Sequence, residues 1–572
     1  MAHHFPTVAV FGLGTTGSHL VELLVRGGRQ VIAVEADETA LRRGRARITG
    51  SGDGVEFTTD PARAARAALV IEALPERLEA KCALFARLDA DCPPHTVFAT
   101  TTTGLSVTEI AFGARRTDRT VGLHLFPLGP VREGAAVEVV GTPLTGAAVL
   151  ADIGQLIHDL GCVPVPVTDR PGFLGGALTL AYLNDAVTMY ERRYASRDSI
   201  DTAMTLGCGL PRGPLAQLDE MGLDTAHDTL EALYGRTRDP RYAPAPTLTH
   251  MVAAGLTGRK AGRGFYAYGA GDTAPGGTGG GPAATAPSRP VRRIGVVGSG
   301  TMAVGIAEVC ARAGLPTVLV ARGELRAKEA RAAVERSLER GVRRGKLAPE
   351  VLGASMDRLA TGCAMDALRD CDLVVEAVAE DLAVKRAVFA GLDAVCRPGA
   401  VLATSTSSLP VIECAMATNR PEDVVGMHFF NPAPMMRLVE VAHTVLTSPE
   451  ARGTAHAVAA ALGKRAVDCP DRAGFIVNAL LFPYLNRAVA MLQEGGATAE
   501  EIDTVMTAGQ GYPMGPLRLL DIIGLDVSLA IQRTLHRTFR EPELTPAAHL
   551  ERLVHAGHLG RKAGKGLYPH DG

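Results

Sequence analysis

Apolar positions along the chain fall into a few recurring patterns, and the same succession of patterns occurs twice. Short apolar runs that end in glycine come first. Val8-Ala9-Val10 leads into Gly12-Leu13-Gly14, and Ile294-Gly295-Val296-Val297 leads into Gly298-Ser299-Gly300. These predict buried strands closed by tight turns. An apolar-periodic stretch from His19 to Gly27 then predicts a helix, and Gln30 to Val34 a second strand. Further buried strands are expected at Leu69-Val70-Ile71, at Val374-Val375, at Val401-Leu402-Ala403 and at Leu438-Val439. From Gly474 onward the period turns helical, over Asn478 to Gln493, Thr498 to Gly509, Leu517 to Phe539 and Pro546 to His558. Gly269 to Pro290, rich in Gly, Ala, Thr and Pro, has no apolar period and reads as a flexible tether.

Aligning the two successions shows that the chain contains one fold twice. Gly12 pairs with Gly298, Glu72 with Glu376, Gly122-Leu123-His124 with Gly426-Met427-His428, and Pro171-Gly172-Phe173-Leu174 with Ala473-Gly474-Phe475-Ile476. Near the ends of the copies, Gly258-Arg-Lys-Ala-Gly-Arg-Gly-Phe-Tyr266 matches Gly560-Arg-Lys-Ala-Gly-Lys-Gly-Leu-Tyr568. The second copy carries 18 extra residues within Glu324 to Gly362, and the first carries two extra just after His124.

Each copy opens as strand, glycine-rich turn, helix, strand. In the first, Gly12, Gly14 and Gly17 form Gly-x-Gly-x-x-Gly, and the second strand ends at Glu35. The glycines allow a tight turn and close approach of a pyrophosphate to a helix N-terminus, and the acid meets a ribose hydroxyl. This is a Rossmann dinucleotide fingerprint in its required context. In the second copy the set is Gly298, Gly300 and Ala303, and the strand ends at Ala321-Arg322. Loss of the acid removes repulsion against a ribose 2'-phosphate, and Arg322 can pair with one. NADP(H) is therefore favoured for the second copy, and NAD(H) for the first if that site is filled. A solvated Arg322 beside bound NADH is the alternative.

Composition sets outer limits. A chain of 572 residues needs several domains. A formal net charge of −2 gives no case for nucleic acid or an anionic membrane surface, and no apolar run is long enough to span a bilayer. The ten cysteines contain no Cys-x-x-Cys pair, so neither a metal site nor a disulfide framework is expected. Met1-Ala2-His3-His4-Phe5 has no signal or transit pattern, which fits a cytoplasmic protein.

The chemistry concentrates between Gly426 and Glu440, Gly-Met-His-Phe-Phe-Asn-Pro-Ala-Pro-Met-Met-Arg-Leu-Val-Glu. His428 titrates near neutrality, and Glu440 at the end of a strand can fix its tautomer and stabilise the imidazolium. A histidine beside two phenylalanines is by itself often only a core residue. The whole signature, however, resembles the active site of the L-3-hydroxyacyl-CoA dehydrogenase family, which includes 3-hydroxybutyryl-CoA dehydrogenases. The resemblance implies that His428 is the acid/base, Glu440 its partner, and that Ser407 and Asn478 position the substrate oxygen. It implies Glu380 and Lys385 near nicotinamide and substrate, and a place for Asn431. It also implies that the extra helical segment, with Arg343, Arg344 and Lys346, contacts the phosphates of CoA or of a phosphopantetheine carrier; a solvated helix face is the alternative. Ala479 stands where the family commonly has Arg.

The first copy keeps Glu76, Lys81 and His124, has Thr103 for Ser407, and has Pro127 and Gly176 for Asn431 and Asn478. Glu138 aligns with Glu440 only across the two-residue insertion, leaving the His124 geometry open. Loss of two amides suggests that this half no longer performs the family reaction.

The fold class expected is α/β plus all-α: two tandem copies of a Rossmann dinucleotide-binding domain followed by a helical domain. The boundaries are 1–168, 169–268, a linker at 269–290, 291–470 and 471–572. The expected activity is NAD(P)-dependent oxidation of a 3-hydroxyacyl thioester or reduction of a 3-oxoacyl thioester, with CoA or a carrier protein as the thiol. The first half would be an intramolecular partner in a pseudo-dimer that can dimerise further. The rivals are a dehydrogenase of free 3-hydroxy acids on the same fold and a non-enzymatic nucleotide-binding scaffold.

Overall fold

The computed structural model describes residues 5–48, 53–126, 133–269 and 287–570. Most of the expected linker, and Pro127, lie outside these residues. The first sheet contains β1 (Thr7–Phe11), β2 (Gln30–Val34), β3 (Val55–Thr58), β4 (Leu69–Glu72), β5 (Val97–Thr100), β6 (Thr120–His124), β7 (Ala136–Gly141) and β8 (Val163–Thr168). The second contains β9 (Ile294–Val297), β10 (Thr317–Val320), β11 (Leu359–Gly362), β12 (Leu373–Glu376), β13 (Val401–Thr404), β14 (Val424–Phe429), β15 (Leu438–His443) and β16 (Arg465–Pro470).

Both sheets have the order 3-2-1-4-5-6-7-8 in their own numbering. The first six strands of each are parallel, as a doubly wound nucleotide fold requires. Strands β7 and β15 then run antiparallel to β6 and β14. That single reversal places the end of one strand opposite the start of the next and brings distant residues face to face. The strands are apolar on both faces because helices cover both, and β1, β4, β5, β9, β12 and β13 are almost wholly buried.

The 18-residue insertion is helical, as expected. Where the first half has one short helix, Glu38–Arg45, the second has Glu324–Arg343 and Pro349–Arg358. One helix expected from the apolar period is in fact two. Leu517 to Phe539 divides into Pro516–Ile523 and Leu525–Phe539, separated by Gly524 at φ +101°. The period survives across the break, so a hydrophobic pattern alone does not reveal it, whereas glycine in a left-handed conformation makes it possible.

The Gly-Arg-Lys-Ala-Gly motif that recurs near the end of each copy has a packing reason. Asp521 accepts hydrogen bonds from the backbone N–H groups of Leu567 and Tyr568, both at 2.9 Å, and Asp219 does the same for Phe265 and Tyr266 at 2.8 Å. A Cβ at Gly566 or Gly264 would lie within about 2 Å of these carboxylates. The motif clasps each copy's last turn onto its own helices.

The halves meet through their helical parts. Gly175–Glu191 and Val477–Glu494 pack on each other, with the Tyr182 and Tyr484 rings 6.0 Å apart. Both helices are apolar around most of their circumference, as elements buried on all sides must be. Arg197–Cys208 of the first half also lies against β15 and β16, and the corresponding second-half segment, Ala499–Gly509, lies against β7 and β8.

Candidate active site

The reversal between β14 and β15 pairs His428 with Glu440 across the ladder. His428 Nδ1 and Glu440 Oε2 are 2.6 Å apart. The other carboxylate oxygen, Oε1, accepts the N–H groups of Ile476 at 2.9 Å and Val477 at 2.8 Å, where the Val477–Glu494 helix begins. That helix has no side-chain cap of its own, so Glu440 satisfies donors that would otherwise be buried without partners. His428 and Glu440 are buried, and Phe430 and Phe475 flank the imidazole with ring centroids 4.5 and 5.6 Å away. With Nδ1 engaged, Nε2 is the ring nitrogen left without a protein partner among the described residues.

Ser407 and Asn478 come to this site from different domains. Asn478 Nδ2 donates to the Ser407 carbonyl at 3.3 Å. The loop after β13 is gathered around Glu380, whose Oε1 accepts from Thr406 Oγ1 at 2.6 Å, Ser407 N–H at 2.9 Å and Ser407 Oγ at 3.1 Å. Burial works against the Glu380 carboxylate, but Lys385 and the Thr406 and Ser407 hydrogen bonds outweigh it and hold its pKa below the ordinary glutamate value. Lys385 is itself fully buried. Its Nζ lies 2.9 and 3.0 Å from the two oxygens of Glu376 and 3.4 Å from Glu380. Thr404 Oγ1 donates to Glu376 at 2.8 Å. The sequence motifs do not single out Glu376 and Thr404 as site residues, although the recurrence of Glu72 as Glu376 is a visible signal. Asn431 is exposed just beyond Phe430, and Arg343, Arg344 and Lys346 are exposed at the end of the Glu324–Arg343 helix.

The nucleotide turns fit a dinucleotide. The helices Thr15–Arg26 and Thr301–Arg312 begin at Gly14 and Gly300 with no side-chain cap, so their first N–H groups are free to meet an anion. A Cβ at either glycine would meet nothing within 4 Å, whereas one at Gly12 or Gly298 would strike the carbonyl of Ala73 or Ala377, at 2.7 and 2.4 Å. Gly17 is tighter still, since a Cβ would lie 1.8 Å from the Gly12 carbonyl. Ala303, in the same place, is accommodated because Gly298 swings to φ +135° where Gly12 holds +87°. Glu35 Oε1 accepts the Leu13 N–H at 2.6 Å, placing an acid at the first turn. In the second half Ala321 is buried there, and Arg322 is exposed with no ion pair among the described residues.

The first half resolves the question left open by its insertion. His124 faces Glu138 across β6 and β7, and Nδ1 is hydrogen-bonded to Oε2. Glu138 Oε1 accepts Leu174 N–H at 2.8 Å and Gly175 N–H at 3.2 Å. The dyad is therefore the same in both halves despite the two extra residues. Glu76 gathers the loop after β5, with Thr103 N–H at 2.9 Å. Gly176, however, leaves no room for the missing amide, because a Cβ would lie 2.6 Å from Thr103 Cγ2.

Comparison with known proteins agrees with this architecture. The family model described as "3-hydroxyacyl-CoA dehydrogenase, NAD binding domain" matches residues 7–170 and 293–472. The model "3-hydroxyacyl-CoA dehydrogenase, C-terminal domain" matches 172–268 and 474–570. A 3-hydroxybutyryl-CoA dehydrogenase of Mycobacterium tuberculosis is 44% identical over 280 residues, 49% of this chain and 98% of its own length. The human mitochondrial hydroxyacyl-coenzyme A dehydrogenase is 39% identical over 285 residues, 49% of this chain and 91% of its own. Among solved structures, a 3-hydroxybutyryl-CoA dehydrogenase of Escherichia coli shares the fold over 97% of this chain and 99% of that one, with a TM-score of 0.65 and 23% identity. The chain is an oxidoreductase belonging to the 3-hydroxyacyl-CoA dehydrogenase family, with both domains of that family present twice.

Proposed function

We propose that the second half exchanges hydride between NAD(P) and C3 of a 3-hydroxyacyl or 3-oxoacyl thioester. The observation that carries this reading is the His428–Glu440 pair at 2.6 Å, closed into the start of the next domain and lined by Phe430 and Phe475. When bound, the nicotinamide supplies the hydride chemistry. The protein supplies the proton. In oxidation Nε2 of His428 takes the hydroxyl proton, and in reduction it returns one to the forming alkoxide. Glu440 keeps the proton on Nδ1 and stabilises the imidazolium, and its own position is fixed by Ile476 and Val477. Ser407 and Asn478 hold the reacting oxygen. Arg343, Arg344 and Lys346 suit the phosphates of CoA or of a phosphopantetheine carrier.

Arg322 favours NADP(H) in the second half, which makes reduction the working direction there. Glu35 favours NAD(H) in the first. The first half serves as a built-in partner rather than a second reaction centre. This is supported by Gly207, where a Cβ would lie 2.9 Å from both Leu438 and Val477 and 3.6 Å from Phe430. First-half backbone thus forms part of the outer wall of the second-half site.

The test is turnover of acetoacetyl-CoA by the purified chain with NADPH and NADH offered separately. Turnover favouring NADPH is expected. A preference for NADH would keep the chemistry and overturn the cofactor assignment. No turnover with either, alongside turnover of free acetoacetate, would replace the thioester reading with that of a free-acid dehydrogenase.

A further inference from the structure

A cavity of about 370 Å³ lies between the halves, remote in sequence from either nucleotide turn. Gly175–Glu191 and Val477–Glu494 form two of its sides, and Leu178, Met189, Leu480, Leu535 and Phe539 provide apolar surface. Its size is at the lower end of small-molecule sites.

The charged groups around it are unevenly matched. Arg241 is held by Asp239 through three contacts of 2.6–3.1 Å. Arg487 leans on the same Asp239 at 3.5 Å and on the Tyr242 hydroxyl, and Arg192 lies 3.6 Å from Glu541. Arg472 alone among these cavity arginines has no carboxylate partner among the described residues. Its guanidinium sits 4.1 Å from the Phe539 ring centroid and 5.0 Å from that of Tyr194, so two aromatic rings hold it without a carboxylate at ion-pair distance, and Glu541, which pairs with Arg192, acts on it only from farther off. A guanidinium cannot discharge by losing a proton under ordinary conditions. An acid of the same lining can discharge by gaining one: Asp185, half-buried and without a hydrogen-bond partner among the described residues, has its pKa pushed up to about 7, chiefly by burial and against the pull of Arg487 and Arg241.

We propose that this cavity is a second ligand site, separate from the dehydrogenase centre, for a small monocarboxylate with an apolar body. The carboxylate pairs with Arg472, and the hydrocarbon lies against Leu480, Leu535 and Phe539. Protonated Asp185 supplies a donor. An ammonium ligand, drawn to Asp185 and Glu543, is the rival that the charge balance disfavours. The site reaches the catalytic half through one rigid element, since the helix that carries Leu480 and Tyr484 begins at the N–H groups that hold Glu440.

Calorimetric titration of the full chain with hexanoate and with hexylamine separates the two. Saturable binding of one hexanoate per chain below about 10 mM, weakened at least tenfold in Arg472→Gln, is the expected result. Because Arg472 also packs between rings, Thr188→Trp at the half-exposed cavity lining provides an independent block and should abolish the same binding. Hexanoate binding that survives both substitutions, tighter binding of hexylamine, or no saturable hexanoate binding in that range would each overturn the proposal.

Discussion

His124 and His428 occupy the same place in their respective sheets. Each is joined through Nδ1 to a glutamate whose second oxygen receives the first N–H groups of a long buried helix. Beyond that shared pair, at Gly176 and Asn478, the halves part. The comparison teaches that persistence of an acid/base pair is not by itself a sign of catalysis. Glu138 is needed even if the first half is the silent partner proposed, because removing it would strand buried backbone donors. The amide at 478 has no such structural duty in the first half, and there glycine stands in its place.

The largest effect tests the comparison directly. His428→Ala is expected to lower turnover of acetoacetyl-CoA by about 10²- to 10⁴-fold, the usual worth of a positioned general acid/base. His124→Ala should leave it within about twofold. Equal losses in steady-state assays of the two variants would show that both halves work. Glu440→Ala and Glu138→Ala sharpen the point. Either change leaves two buried helix N–H groups without an acceptor, so each should reduce stability by about 1–3 kcal/mol in denaturant unfolding. Only Glu440→Ala should also depress turnover strongly. If Glu138→Ala left stability untouched, the structural account of the repeated pair would fail.

Asn478→Ala should reduce kcat/KM by about 10- to 100-fold, the cost of one unmet hydrogen bond in a closed site. The reverse change, Gly176→Asn, is expected to lower stability rather than create activity, because Thr103 occupies the space. At the nucleotide turn, Arg322→Glu should shift the ratio of NADPH to NADH efficiency toward NADH by about tenfold, or about 1.4 kcal/mol. An unchanged ratio would mean that Arg322 is only a solvated loop residue.

Much of this contrast is legible in the order of the amino acids. The glycine turns, the His-Phe-Phe-Asn-Pro signature and the recurrence of one fold within one chain carry local constraints that sequence displays openly. Gly12 is required by the Ala73 carbonyl and Gly566 by the Asp521 carboxylate, and each leaves a recurring glycine. What stays hidden depends on contacts between distant segments. The split at Gly524 leaves the apolar period intact. The His124–Glu138 pairing depends on strand register, which an alignment across an insertion cannot set. Lys385 is visible in the sequence as the mate of Lys81, but its burial on Glu376 is a property of strands and a helix together. The approach of Gly207 to Phe430 arises only when the halves dock.

The smallest expected effect concerns a pair of mates that differ between the halves, Asp185 and Arg487, on the two central helices. Folded Asp185 holds its proton up to about pH 7, whereas the unfolded chain releases it near the ordinary aspartate value of 3.8. Its contribution to stability is therefore fully present below about pH 4 and is lost progressively as pH rises through 7. Asp185→Asn keeps the shape and removes the titration. The variant should melt with wild type near pH 4 and above it at pH 8, by about 2 °C or less given the opening of the carboxyl onto the cavity. An identical difference at the two pH values would mean that Arg487 and Arg241 compensate the ionised acid fully, and that the two halves are better matched in charge across their contact than the unpaired carboxyl suggests.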